Sequence, residues 1–305
     1  MNIGFIIPTY PGEKRVGLLP QHLKYVHSAN TLRFEQGFGN TLGIPDESYQ
    51  GMGGYTRKQI FQWAEVIYSL KTPQQIDYDL FNKGQAIVGW IYPSRNLEAD
   101  LHFMTHCAKP KDLTIFDTNY RYTNGVWETL RIQSDFASKN NILAGYASVS
   151  HGILLRGGVR KDEIVTVFGS GNVALGALEY LTGRGIYPLL RRRSNLERML
   201  DEFAMYDIFI NTVSIAHNES HVVTQNMLAA MKDSGWIIDA AADENGAIEG
   251  TRCTSLDHPI YHDQQGHTFY VVNNSPSLFY RESSDVISEA YAKSFWSKPM
   301  GFWFE

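Results

Sequence analysis

The stretch IVTVFGSGNVALGALEYL, residues 164–181, sets two glycines and an alanine between an apolar run and a helical pattern. Strand, glycine turn and helix in that order make a dinucleotide-binding loop of the form G-x-G-x-x-A. Gly169 permits the tight turn, Gly171 lets backbone approach a pyrophosphate, and Ala174 replaces the third glycine where helix and strand pack closely. Gly169, Ser170, Gly171, Asn172 and Val173 are therefore the expected phosphate contacts, since a helix N-terminus offers N–H donors and the positive end of its dipole. The competing reading is a glycine turn that holds no ligand.

In such a unit the second strand ends about 20 residues past the loop, with an acid that grips the ribose hydroxyls. Here that place reads YPLLRRRSN, residues 187–195. A carboxylate would repel a 2′-phosphate, whereas a guanidinium binds one through charge-assisted bonds. Arg192 stands in the acid's place, Arg193 and Ser194 are further phosphate contacts, and Arg191 faces away along the strand. The expected cofactor is NADPH rather than NADH. The alternative is a solvated basic loop.

These groups need a scaffold. Apolar runs alternate with helical patterns along all 305 residues, the signature of parallel α/β units. Strands are expected at 2–6, 31–35, 65–70, 86–91 and 113–117. A second series is expected at 164–168, 187–191, 207–213, 236–241 and 269–273. Thr56 caps a helix, Pro20 starts another, a long helix over 134–158 crosses between domains, and helices fit 172–182, 195–203 and 224–232. The fold class is α/β, with two Rossmann-like domains, parallel sheets and an active site in the cleft between them. Residues 1–130 with 281–305 form the substrate domain and 131–280 the NADP-binding domain. The last helix packs back on the first domain, and Phe302, Trp303 and Phe304 serve as core or subunit contacts.

A formal net charge of −5 weighs against nucleic acid or an anionic membrane as partner. The opening apolar run is too short for a signal peptide, and no segment reaches membrane-helix length. Two distant cysteines give no disulfide framework and no metal spacing. A cytoplasmic protein is expected. His102 and His106 stand at i, i+4 on a helix without a third ligand, so no metal is expected. His151 is read as a core residue of the crossing helix.

GEKRVGLLP near the start, SLK at 69–71, GSGNVALGA, DIFINTV, IIDAAADENGAIEG and YVVNNSPSLFYR follow one another in an order that resembles the alanine dehydrogenase and saccharopine dehydrogenase superfamily. The resemblance spans nearly the whole chain and is nearest to its N5-(carboxyethyl)ornithine synthase branch. It implies NADPH-dependent joining of pyruvate to the side-chain amine of ornithine or lysine. It also implies roles. Arg15 clamps the keto-acid carboxylate, and Lys71 polarises the carbonyl oxygen and trades protons. Asp243 sits beside nicotinamide and amine, with Asp239 as the competing acid. Asn274 and Ser275 contact the nicotinamide ring, and Val213 and Ser214 lie where the cofactor crosses the sheet edge. One position departs from the pattern: where the family carries a histidine, GWIYP places Tyr92, a hydrogen-bond donor but a poor proton shuttle at neutral pH.

The expected activity is reductive condensation of a 2-keto acid with an amino acid to an N-(carboxyethyl) amino acid, catalysed by Arg15, Lys71, Tyr92 and Asp243. Reductive amination of pyruvate by ammonia, as in alanine dehydrogenase, is the simpler alternative. A non-catalytic NADPH-binding regulator is the third, favoured by Tyr92 alone. The expected partners are small-molecule substrates and further copies of the chain in a dimer or tetramer.

Overall fold

The computed structural model describes residues 1–91, 98–117, 120–130, 136–215 and 219–305. They divide into two compact units, Met1–Phe136 with Tyr280–Glu305, and Ala137–Phe279. The changeovers fall at 136/137 and 279/280, where the sequence reading put 130/131 and 280/281.

In the first unit the strands are β1 (Asn2–Phe5), β2 (Thr31–Phe34), β3 (Val66–Lys71), β4 (Ala86–Trp90), β5 (Thr114–Phe116), β6 (Tyr120–Thr123) and β7 (Val126–Thr129), in the order β2-β1-β3-β4-β5-β6-β7. The first five are parallel, and β6 and β7 close the edge as an antiparallel hairpin. Alternate residues feed opposite faces, as period-two strands require. Val66, Tyr68 and Leu70 join one apolar cluster, and Ile67 joins the other. Helix α1 (Arg57–Trp63) begins in a full capping box between Thr56 and Gln59. The Pro20 stretch is a 3-10 helix, Pro20–Tyr25. Short helices α2 (Gln75–Tyr78) and α3 (Glu98–Phe103) complete this part of the unit.

The second unit opens within the 21-residue helix α4 (Phe136–Arg156), at its second residue. Its strands are β8 (Val165–Phe168), β9 (Leu189–Arg191), β10 (Ile208–Asn211), β11 (Trp236–Asp239), β12 (Ile260–His262) and β13 (Thr268–Tyr270). Five are parallel in the order β9-β8-β10-β11-β13, and β12 is an antiparallel edge. Helices α5 (Asn172–Gly183), α6 (Leu196–Glu202) and α7 (Gln225–Ala230) connect them. α4 and α5 touch backbone to backbone. A Cβ on Gly145 would lie 1.9 Å from the Val173 carbonyl oxygen, and one on Gly176 would lie 1.8 Å from that of Ile142.

The chain then returns to the first unit in α8 (Tyr280–Ser294). Ser284 and Ser288, one turn apart, accept from the N–H groups of Val16 and Leu19 at 2.8 and 2.7 Å. The returning helix thus fixes the segment that follows Arg15. Trp303 stacks on Phe295 at 4.7 Å in the core, while Phe302 and Phe304 are exposed. Among the described residues no helix is long and apolar enough to cross a membrane.

Candidate active site

Both parallel sheets carry the doubly wound order 2-1-3-4-5. In such sheets ligands bind outside the carboxyl ends of the two strands where the winding reverses. In the first unit those strands are β1 and β3. The chain leaving β1 carries Glu13 and Arg15, and Lys71 is the last residue of β3.

Arg15 is buried and held by Glu13, its Nε donating at 2.8 Å and its Nη2 at 2.6 Å to the two carboxylate oxygens. The Arg15 N–H donates to the same group at 2.9 Å. Burial pushes the Glu13 carboxyl up. The Arg15 charge, these bonds and the Lys71 charge outweigh it, so the carboxyl is held below the usual carboxylate range. The Arg15 guanidinium lies 4.9 Å from the Trp90 ring centre, and the Lys71 ammonium lies 5.5 Å from the same ring and 5.6 Å from that of Tyr10. Register explains the meeting: past an irregularity in β3, Lys71 pairs with Trp90 at the end of β4. The Arg15 and Lys71 cations thus meet at one indole, with the Glu13 carboxylate beside them.

A second network braces both strand ends. Arg57 grips Asp77 through both oxygens, at 2.7 and 3.0 Å, and also Glu35 at 2.7 Å and the Ile7 carbonyl at 3.0 Å. Thr9 donates to Asp77 at 2.7 Å and accepts from the Gln74 N–H at 3.1 Å. The loops carrying Arg15 and Lys71 are therefore tied to each other.

In the second unit the reversing strands are β8 and β10. Gly169 has φ +126°, and a Cβ there would meet the Thr212 hydroxyl at 2.1 Å, so the fold itself demands glycine. Gly171 differs. Nothing lies within 4 Å of its Cβ position, and its φ of −85° is ordinary. No contact within the fold calls for glycine there. Gly171 is the N-cap of α5 and supplies no side-chain cap, so no cap side chain takes up the first N–H groups of the helix. The Gly169 N–H donates to the Arg191 carbonyl at 2.8 Å, joining the loop to the end of β9.

The arginines divide. Arg191 turns to Glu202, with bonds of 2.7 and 2.5 Å, and the Tyr206 hydroxyl donates to the same oxygen at 2.9 Å. Arg192 and Ser194 are exposed, and the Arg192 carbonyl accepts from the Asn195 N–H at 2.8 Å. Arg193 is half-exposed and pairs with Glu219 at 3.1 Å. Val213 follows β10, its N–H donating to the Asn211 carboxamide at 3.0 Å, and Ser214 is exposed beside it. Asn274 and Ser275 are buried, and the Ser275 hydroxyl accepts from Ser148 at 2.7 Å and donates to the Ala144 carbonyl at 3.4 Å, both on α4.

Asp243 stands half-buried in the turn after β11, flanked by two non-glycine residues in left-handed conformation, Ala242 (φ 50°) and Asn245 (φ 45°). Such conformations persist where surrounding bonds enforce them. Tyr92 lies outside the described residues. His102 and His106 stack on each other at 4.0 Å, and among the described residues no group of three His, Cys, Asp or Glu is arranged to hold a metal. His151 meets the Tyr270 hydroxyl at 3.2 Å inside the second unit.

Residues 9–137 match the family "Alanine dehydrogenase/PNT, N-terminal domain", and residues 156–296 match "Alanine dehydrogenase/PNT, C-terminal domain". Over the full chain and 97% of the relative, the sequence is 39% identical to an N(5)-(carboxyethyl)ornithine synthase of Clostridium botulinum. It is 34% identical to one of Lactococcus lactis, over 98% of this chain and 97% of that one.

The chain belongs to the alanine dehydrogenase superfamily, in its N(5)-(carboxyethyl)ornithine synthase branch.

Solved structures agree on the fold. An L-alanine dehydrogenase superposes with a TM-score of 0.74 at 21% identity, covering 96% of this chain and 88% of that one. A transhydrogenase from Sinorhizobium meliloti gives 0.70 at 21%, covering 95% and 92%. This superfamily member is thus an oxidoreductase built on two α/β domains, from a family that binds nicotinamide nucleotides. The sequence reading missed Glu13 and Trp90. Glu13 had a signal: it is an acid two residues before Arg15, close enough in the chain to pair with it. Trp90 had none, because only strand register brings it to Lys71.

Proposed function

We propose that this protein uses NADPH to condense a 2-keto acid, pyruvate, with the amino group of an amino acid such as ornithine or lysine, giving an N-(carboxyethyl) amino acid. The observation that carries the reading is the meeting of Arg15, braced by Glu13, with Lys71 on the Trp90 ring. Arg15 binds the keto-acid carboxylate. Lys71 donates to the carbonyl oxygen, which draws electrons from the carbon under attack and lets that oxygen leave as water. Asp243 takes the ammonium proton of the amino acid, freeing the nitrogen to form the imine, and Tyr92 donates a second hydrogen bond to the departing oxygen. The Gly169–Val173 loop takes the pyrophosphate, and Arg192, with Arg193 and Ser194, takes the 2′-phosphate. Bound there, NADPH supplies the hydride that reduces the imine carbon. Val213, Ser214, Asn274 and Ser275 line the nicotinamide end.

The test follows NADPH absorbance with pyruvate plus ornithine, pyruvate plus lysine, pyruvate plus ammonium, and pyruvate alone, with product masses read by mass spectrometry. An N-(carboxyethyl) product with either diamino acid is expected. Alanine from the ammonium mixture alone makes the enzyme a simple dehydrogenase. Tight NADPH binding with no oxidation in any mixture leaves a cofactor-binding regulator.

A further inference from the structure

Asp239 ends β11, one strand from Asn211 at the end of β10. Its side chain is completely buried, and its two oxygens differ. Oδ1 accepts from the Asn211 carboxamide at 2.8 Å and from the N–H groups of Ala241 and Ala242 at 3.2 Å each. Oδ2 is buried with no hydrogen-bond partner among the described residues. The Asn211 carboxamide also spans the following residue, donating to the Val213 carbonyl at 3.0 Å and accepting from the Val213 N–H at 3.0 Å. One carboxyl group therefore fixes two turns: the turn after β10 through Asn211, and the left-handed Ala242 immediately before Asp243. A non-glycine residue at φ 50° needs such enforcement.

We propose that Asp239 is the positioning residue of this site, holding the strained turn that presents Asp243 and coupling it to the Asn211–Val213 turn. The inference rests on the catalytic reading of Asp243. Burial favours the neutral acid, while the three donors on Oδ1 favour the carboxylate. Burial, reinforced by the Asp243 charge, raises the Asp239 carboxyl to about 7 against the opposing pull of Asn211 and the two N–H groups. Among the described residues, Tyr261 on β12 also feels the Asp239 charge, Arg252 packs on Tyr261, and Cys253 lies against Ala242. The Arg252 N–H donates to the Tyr261 hydroxyl at 3.2 Å, and the Arg252 guanidinium lies 4.6 Å from the Tyr261 ring centre. The Cys253 thiol donates to the Ala242 carbonyl at 3.3 Å. Ionisation of Asp239 places a second negative charge next to Asp243, in the turn that must receive an ammonium group and release its proton.

The experiment compares D239N, D239A and D243N in the full chain. D239N keeps the shape of the neutral acid. It should retain activity within a few fold, and its kcat/KM profile should lack the limb near pH 7 expected of the parent. D239A leaves three donors without an acceptor and should lower kcat roughly tenfold or more. Binding of NADPH, measured by fluorescence, should change much less. Carboxyl carbon NMR reads the coupling without catalysis: the Asp239 midpoint should fall in D243N, where the neighbouring charge is gone. A parent-like pH limb in D239N, or an Asp239 midpoint near 4 in the parent, overturns the proposal. Full activity in D243N with the midpoint shift intact overturns the catalytic reading of Asp243 instead.

Discussion

Glu13 and Arg15 grip each other through both carboxylate oxygens with almost no solvent on either side chain. The pair stands in the loop after β1, where the reversed winding of the sheet leaves room for a ligand. Glu13 fixes one edge of the guanidinium and so determines which edge can meet a substrate carboxylate. E13Q removes the compensating charge from a buried cation, a change worth about 3–5 kcal/mol. Urea unfolding should show that loss at neutral pH. Because the folded carboxyl is held below its ordinary 4.5, the pair's stabilisation is complete above that pH and fades as the pH falls through the lower folded value. The gap between parent and E13Q should therefore narrow in acid. A gap independent of pH shows that the charge of Glu13 contributes nothing.

R15K keeps the charge and loses the planar fork. The Michaelis constant for the keto acid should rise by the equivalent of about 1.5–3 kcal/mol, with the NADPH dissociation constant unchanged. Kinetics equal to the parent remove Arg15 from the substrate site.

Three glycines of one helical region separate packing from binding. G176A places a methyl group 1.8 Å from the Ile142 carbonyl oxygen, and backbone there has no room to yield. It should destabilise by roughly 1–3 kcal/mol or more, overriding the helix-propensity gain of about 1 kcal/mol. G183A meets nothing within 4 Å and should be neutral or stabilising. G171A also meets nothing, so it should fold like the parent yet bind NADPH much more weakly. Unchanged NADPH affinity in G171A removes the pyrophosphate from this loop.

Much of this arrangement is legible in the sequence, for physical reasons. Strands buried on both faces read as apolar runs, so β1, β3, β4, β8, β10 and β11 fall within a residue or two of expectation. The antiparallel edges β6, β7 and β12 do not, because they are short and partly exposed. The Asn124-Gly125 turn of the β6–β7 hairpin, with φ values of 51° and 85°, was nevertheless a readable signal. Candidate site residues carried by a loop motif, such as Gly171 and Arg192, are legible because chain distance sets their place. Trp90 beside Lys71, and Asp239 beside Asn211, are not, since each pair is made by strand register across the sheet.

The division of labour among the arginines gives the sharpest test of cofactor choice. Arg191 is turned into the unit, where Arg198 first and then Arg191 hold the Glu202 carboxyl down at about 2 against its burial. R191A should therefore weaken stability while leaving the preference between NADPH and NADH nearly intact. Arg192 is exposed at the end of β9, in the place where an NADH-binding unit carries its acid. R192D puts a negative charge against the 2′-phosphate and offers a carboxylate to the ribose hydroxyls. Preference should fall by roughly tenfold to a hundredfold, or invert, mainly through repulsion of NADPH. Keto-acid constants at saturating cofactor should stay near the parent's. The effect should shrink as salt rises, because the position is solvent-screened. R193A offers an internal comparison: Arg193 is already paired with Glu219, so its loss should reduce NADPH affinity less than loss of Arg192. Dissociation constants for both cofactors, measured by fluorescence at two salt concentrations, decide the matter. A parent that binds NADH as tightly as NADPH makes the arginine run a solvated loop with no part in recognition.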